Sequence, residues 1–299
     1  MDFQPTEDQK DLRAGVRDLL AGRYGRDALR ASVDSGVSVD RALWRELGEA
    51  GFFALRLPES EGGVGLGLPE AVLVFEEAGR ALVPGPLVAT HLAAGVVPGA
   101  AAGTAVVSAF DLGDPLVAHL GDADAVLGAS SGVPAGEPVR SVDPLTPLHR
   151  VAVAGDSSAY REVGALLTAA LQLGSALRTV ELAVRYAGER EQFGQPIGAF
   201  QAVKHLCAGM LVRAEVARTA VYAAAVTGDA GEVAAAKLLA DEAAVRGARD
   251  CLQVHGGMGF TWEADVHLHL KRAWVRAEQW RTAAQAEELL AEELLGSTG

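Results

Sequence analysis

Most of the residues between 158 and 254 are written in helical period, which commits this half of the chain to helix-on-helix packing. Leu166, Ala170, Leu173, Leu177, Val180 and Val184 fall on one stripe along some thirty residues, roughly 45 Å of helix. A second helical run extends from about Phe200 to Thr227 and breaks at Gly228-Asp229-Ala230-Gly231. A third runs from about Glu232 to Val254, a fourth follows a glycine turn, and Gln285 to Leu295 closes the chain. Long antiparallel helices on short connections specify a four-helix bundle. Aromatic residues make up only 5% of the chain, so Ala, Leu and Val must fill its interior.

The N-terminal third is also helical. Thr6 to about Leu29 reads as an amphipathic helix, with Thr6 as N-cap, acidic residues in the first turn and Leu12, Val16, Leu19 and Leu20 at helical spacing. A second helix runs from about Asp40, through Leu43, Trp44 and Leu47, to a stop at Gly51. The glycine-rich stretch from Pro58 to Gly67 is a loop, and Pro69 to Leu82 forms a helix ended by Pro84-Gly85-Pro86. Between about Ala101 and Ala154 the texture changes. Short β-leaning runs such as Thr104-Ala105-Val106-Val107 and His149-Arg150-Val151-Ala152-Val153 alternate with Gly, Asp and Pro. The expected layout is mostly α: an N-terminal helical domain over 1–100, a reduced β region over 101–155 and a C-terminal helical bundle over 156–299.

Charge narrows the function. The chain has 299 residues, 49% of them hydrophobic, and a net charge of −13. A field of that sign argues against nucleic-acid binding, which needs basic groups to displace counterions, and an anionic ligand must be held by local donors. Cys207 and Cys251 lie inside helical patterns and read as small buried hydrophobes, and no spacing suggests a metal. His255, His267 and His269 cluster late in the chain, but the last two are two apart and face different sides of a helix. The N-terminus, Met1-Asp2-Phe3-Gln4-Pro5, lacks the features of a signal peptide, and no apolar run approaches the ~18 residues of a membrane span. A cytoplasmic protein with no membrane partner is the expectation.

Two motifs sit where one long helix stops and another begins. The first is Arg190-Glu191-Gln192-Phe193-Gly194-Gln195-Pro196-Ile197, and the second is Gln253-Val254-His255-Gly256-Gly257-Met258-Gly259-Phe260-Thr261. Taken singly they have bland readings. Arg190 is a cation facing a helix C-terminus, Gly256-Gly257 is a helix stop, and Phe193 and Phe260 serve equally as packing residues or ligand contacts. Taken together, with Arg185 to Glu189 before the first motif and Phe200-Gln201-Ala202-Val203-Lys204-His205 after it, they resemble the C-terminal signatures of the acyl-CoA dehydrogenase family. Leu43-Trp44, Gly51, Pro58 and Gly62 to Gly67 are similar to that family's N-terminal part, so the resemblance covers about 1–100 and 158–275. It implies FAD bound across a subunit interface. Arg190 would pair with the pyrophosphate, supported by Gln192 and Phe193. Gln201 would lie nearby, and Gln253, Gly256 and Gly257 would line the adenosine side. A guanidinium fork suits a diphosphate, and glycines admit close approach.

Three departures from the family pattern shape the functional expectation. Only about fifty residues stand where the family has a middle β domain of about a hundred, and the Thr/Ser-containing flavin loop is not found. The position of the usual catalytic Glu falls on Trp280, followed by Arg281 and Thr282. The alternative base position, early in the first bundle helix, falls on Gly164, with Glu162 two residues away. Abstraction of an acyl thioester α-proton requires a carboxylate in reach, and a two-residue shift to Glu162 or Glu278 rotates a helical side chain by roughly 200°. No catalytic residue is therefore assigned. The resemblance implies a subunit of an FAD-dependent acyl-CoA dehydrogenase, an oxidoreductase of lipid metabolism performing α,β-desaturation. Its catalytic partner subunit holds most of the acyl-CoA in an α2β2 heterotetramer. Two-chain members of the family include ones acting on CoA thioesters in steroid degradation. Two alternatives stand beside this: a self-sufficient homomeric enzyme with a displaced base, and a degenerate acyl-CoA-binding scaffold without flavin. Glu287-Glu288 and Glu292-Glu293 form a solvated acidic face able to orient a basic partner.

Overall fold

The computed structural model describes residues 5–113 and 115–296. Met1 to Gln4, which carried most of the expectation about a leader, lie outside the described residues. Helix α1 (Glu7–Arg23) opens with a capping box: the Thr6 hydroxyl accepts from the Gln9 N–H, and the Gln9 side chain accepts from the Thr6 N–H. The expected continuous helix to Leu29 is instead two. The chain breaks at Tyr24-Gly25, where Gly25 is extended, and α2 (Arg26–Ser35) restarts from it. Buried Leu20 and Leu29 are nine residues apart and both pack into the core. Periodicity carried across the break because both segments present apolar residues to the same surface.

Helix α3 (Arg41–Glu49) is capped by Asp40, whose carboxylate accepts from the Ala42 and Leu43 N–H groups. Gly51 follows at φ 79, a left-handed conformation that glycine adopts freely. Helix α4 (Leu68–Arg80) and the short α5 (Leu87–Leu92), the latter absent from the expectation, complete the N-terminal helices. The strands then come in short pieces. Strand β1 (Val107–Ala109) pairs parallel with β3 (Ala125–Leu127), while β2 (Leu116–Ala118) and β4 (Gly136–Val139) flank β5 (Leu148–Val151) antiparallel. Phe110, Val117, Leu120, Val126 and Val151 form a small core of their own there.

The bundle follows: α6 (Arg161–Glu189), α7 (Gln201–Thr227), α8 (Ala230–His255) and α9 (Val266–Glu278), with α10 (Ala283–Gly296) against α8. A hairpin of β6 (Glu191–Gln192) and β7 (Gln195–Pro196) joins α6 to α7. Gly228, left-handed at φ 66, ends α7, and Asp229 caps α8 through the Glu232 N–H. The predicted stripe on α6 is buried from Leu166 to Val180, whereas Val184 is exposed. Residues 158–189 are long and apolar enough to cross a membrane, against the expectation, but 89% of the most apolar window is buried inside the fold. That apolarity is spent on packing against α4, α7, α8 and α9. One hydrophobic core runs from α1 through α4 and α5 into the bundle.

Candidate functional site

The two sequence motifs come together at one end of the bundle. Tyr186, in the last turn of α6, stacks on His255, the last residue of α8, with ring centroids 4.2 Å apart. The His255 Nδ1 lies 2.8 Å from the Cys251 carbonyl, and burial lowers the pKa of the imidazole so that it packs as a neutral ring. This stack fixes where each helix stops and holds the two following loops on one side of the molecule.

From that clamp the first motif projects outward. Arg190 is the C-cap of α6, its N–H bonded to Tyr186 O at 2.8 Å and its carbonyl accepting from the Ile197 N–H at 2.8 Å. Its guanidinium is exposed and has no carboxylate partner among the described residues. Phe193 at φ 54 and Gly194 at φ 78 form the two-residue turn of the hairpin, the left-handed pair of a type I′ connection. Phe193 is 93% exposed and touches the ring of Phe200 edge-on at 6.0 Å. The Gln192 side chain donates to the Glu191 carbonyl at 2.7 Å, and Gln201 is the exposed first residue of α7. No side chain caps that helix, so its first N–H groups and its positive dipole end lie in the same region as Arg190.

The second motif lies at the other side of the stack. Gln253 is exposed in the last turn of α8, and its carbonyl accepts from the Gly256 N–H. Gly256 has φ 58 and ψ −139, a combination that a side chain would strain. A Cβ on Gly257 would meet nothing within 4 Å, so no neighbour in this chain requires glycine there, and the backbone is open to an outside group. Phe260 and Met258 are exposed beside it. All seven residues singled out in the sequence therefore lie at this end of the bundle. They form an open surface.

The interior position where the sequence lacks an acid is filled. Trp280, 5% exposed and at φ 63, leaves α9 with its N–H bonded to the Asp111 carbonyl at 2.6 Å. Its indole lies directly over Gly164, where any Cβ would overlap the ring. The two positions at which the family pattern places a base thus pack against each other as plug and socket. Glu162 is ion-paired with Arg281, and Glu278 is exposed on the last turn of α9. Beneath the plug, an internal space of about 30 Å³ is lined by Asp111, His119, Thr168, Arg272, Arg276 and Trp280 among others. That is an order of magnitude below the ~300–1,000 Å³ of ligand pockets, so neither a flavin ring nor an acyl chain fits. A polar cleft of about 230 Å³, reached by Asp111, Arg161 and Glu278, lies across the same indole.

Sequence reasoning missed the polar lining of this space. Arg272 is ion-paired with Asp143, itself held below the usual carboxylate range by that neighbour despite burial. Asp111 Oδ1 is buried without a partner, Oδ2 accepts from Gln279 at 2.8 Å, and burial pushes the carboxyl up to about 7. Burial pushes His119 and His269 down to about 3. His267 stacks on Trp262 at 5.1 Å, while His269 meets Ser175 on another face, as their spacing required. Cys251 is buried as expected, but Cys207 is only half-buried; both are free thiols.

Residues 6–108 match the model of the acyl-CoA dehydrogenase N-terminal domain, and residues 161–284 match that of the C-terminal domain. The chain is 39% identical to the acyl-CoA dehydrogenase IpdE2 of Mycobacterium tuberculosis over 291 residues, 90% of this chain and 92% of that one. It is 37% identical to FadE34 of the same organism, where 87% of this chain corresponds to 42% of the relative. Among solved structures, the ChsE4-ChsE5 complex from Mycobacterium tuberculosis superposes with a TM-score of 0.86 at 26% identity, covering 99% of both chains.

Proposed function

The chain belongs to the acyl-CoA dehydrogenase family, whose cofactor is FAD, and from that premise we propose that it is the non-catalytic subunit of a two-chain member. The observation that carries this reading is the contrast between the plugged interior and the open surface. Trp280 stands where the family pattern places the acid, and its indole fills the space over Gly164, leaving about 30 Å³ beneath it. Arg190, Gln201, Gln253 and the backbone at Gly257 meanwhile stand exposed at one end of the bundle. These residues fit the phosphate and adenosine end of FAD. Arg190 supplies directed donors and a positive charge, the uncapped start of α7 adds a dipole of the same sign, and the glycines admit a close backbone contact.

FAD, when bound, supplies the hydride acceptor for α,β-desaturation of an acyl-CoA thioester. In this reading the α-proton goes to a base on the partner, since Glu162 is tied to Arg281, Trp280 has no proton-accepting group and Glu278 is exposed on the last turn of α9. Two comparisons support a partner. ChsE4-ChsE5 is by its description a complex of two proteins. FadE34 is more than twice as long as its matched region, so there the equivalent of this chain is joined covalently to at least as much further polypeptide. The catalytic subunit of this reading brings the acyl pocket and houses the reacting ring.

The test is Arg190→Ala in the chain co-expressed with its partner. Bound flavin, read from the absorbance near the flavin maximum after gel filtration, should fall at least tenfold while the two chains still co-purify. That factor corresponds to the loss of one charge-assisted contact of roughly 1.5–3 kcal/mol. Unchanged flavin content would overturn the cofactor role and favour a scaffold. A yellow, active preparation of this chain alone would overturn the division of labour.

A further inference from the structure

Arg276 is 4% exposed, and its guanidinium makes a single protein hydrogen bond, from Nη1 to the Leu171 carbonyl at 3.4 Å. A guanidinium has five N–H donors and keeps its proton in proteins, so most of its bonding capacity finds no protein acceptor. Its charge is also unmatched. Asp143, the acid that acts on it, already accepts from Arg272 Nε, the Thr146 hydroxyl and the Leu145 N–H. Arg272 adds a second positive charge nearby, and burial together with that charge depresses the proton affinity of Arg276. An unpaired interior charge costs several kcal/mol, and a fold that tolerates one has a counter-charge somewhere.

The internal space of about 30 Å³ lies beside this guanidinium. A single water-sized occupant needs about 10–15 Å³, so the space admits one small ion and excludes a coenzyme. Thr168 lines it too, 1% exposed, with a hydroxyl that bonds no protein group. His119 contributes nothing toward an anion. Its Nδ1 meets Ser38 Oγ at 3.1 Å, and that hydroxyl donates to Asp122 at 2.7 Å, so the proton sits on Nδ1 and the other ring nitrogen is an acceptor. Asp111, on the same wall, bonds Gln279 and stays neutral below neutral pH.

We propose that this space beneath Trp280 is a binding site for a small monovalent anion of the chloride class, held by the Arg276 guanidinium with the Thr168 hydroxyl as second donor. The ion neutralises the buried arginine and is a structural ligand of the plugged interior, independent of whether flavin or a partner subunit is bound. Melting temperature of the full chain, with its partner where the two co-purify, is compared in sodium chloride and sodium gluconate at equal ionic strength and pH 6. The wild type should melt higher in chloride, by an amount that grows with the logarithm of its concentration. Arg276→Met, which keeps the length and removes the charge, should melt at the same temperature in both salts.

The proposal is overturned by an equal response in Arg276→Met and wild type, which would mark a general salt effect, or by no response in the wild type. Crystals of the wild type grown in bromide give a measure that does not depend on the variant folding. An anomalous peak in contact with the Arg276 guanidinium is expected there. Density for water alone in that space would sink the idea.

Discussion

A carboxyl group shut away from water keeps its proton, and Asp111 is in that position. The residue as a whole is half-buried, yet Oδ1 has no access to solvent and no donor, and the group titrates at about 7. Its folded-state value is above the unfolded one, so the folded protein binds more protons than the unfolded chain between about pH 4 and pH 7. Stability from this group is therefore full below the unfolded value and is lost as pH rises through that window. Asp111→Asn should remove the loss. The stability gap between variant and wild type, from urea melts at a series of pH values, should widen from about pH 4 to about pH 7 and then stay constant. Its ceiling is roughly 4 kcal/mol, from about three pH units at ~1.36 kcal/mol each. The buried imidazoles of His119 and His269 lose stability in the opposite direction, toward acid, but they are common to both proteins and cancel. A gap independent of pH would contradict the assignment. At this scale the sequence exposed the missing acid at Trp280 because a motif frames it. It could not expose Arg276 or Asp111, since an Arg on an amphipathic helix and an Asp after a strand read as solvated until packing closes over them.

Among the elements, the β6–β7 hairpin separates stability from function most cleanly. Its turn needs two left-handed residues, and one is Phe193, a residue that adopts φ 54 only at a cost. That ring plays no part in the core: it is 93% exposed and meets Phe200 edge-on. Phe193→Gly should leave the melting temperature unchanged or raise it by a degree or two, because it relieves backbone strain and buries nothing less. The same variant should weaken flavin retention or partner binding severalfold, read by gel filtration and flavin absorbance. If both measures are unchanged, the exposed ring has no outside contact. Element boundaries followed how local their causes are. Asp40, Gly51 and Gly228 act within one turn, and the sequence placed those three helix ends, whereas α8 begins at Ala230 behind its Asp229 cap, two residues before the expected Glu232. The break between α1 and α2 and the short α5 were hidden, because the first keeps the apolar period across Tyr24-Gly25 and the second has six residues between a proline and an alanine run. The β1–β3 parallel pair joins residues eighteen apart, a non-local pairing that no short window contains.

At the scale of the whole molecule, what matters is where apolar volume went. The helical order of the family was legible because periodicity and glycine stops repeat over hundreds of ångströms of chain, whereas the contents of its central cavity depend on four elements meeting at one point. Here α6 offers Gly164, α9 hands over to Trp280, β1 runs on to Asp111, and α5 closes the remaining side. The result is an indole packed where the family pattern places an acid, and a surface motif whose Arg190 has no carboxylate partner among the described residues. In the reading proposed above, such a molecule offers one half of a cofactor site and occupies none. Under the proposed division of labour, an assembly of two copies of each chain holds two flavins, one for each catalytic subunit. The flavin count of the co-purified complex, from absorbance after denaturation against protein by amino-acid analysis, should be one per pair of unlike chains. Replacing Trp280 by Gly should not raise that count, because on this division of labour the wall that holds the ring belongs to the catalytic subunit. A value of two per pair in the wild-type complex would mean that this chain houses a flavin of its own, and the plug would then have to move aside to admit it.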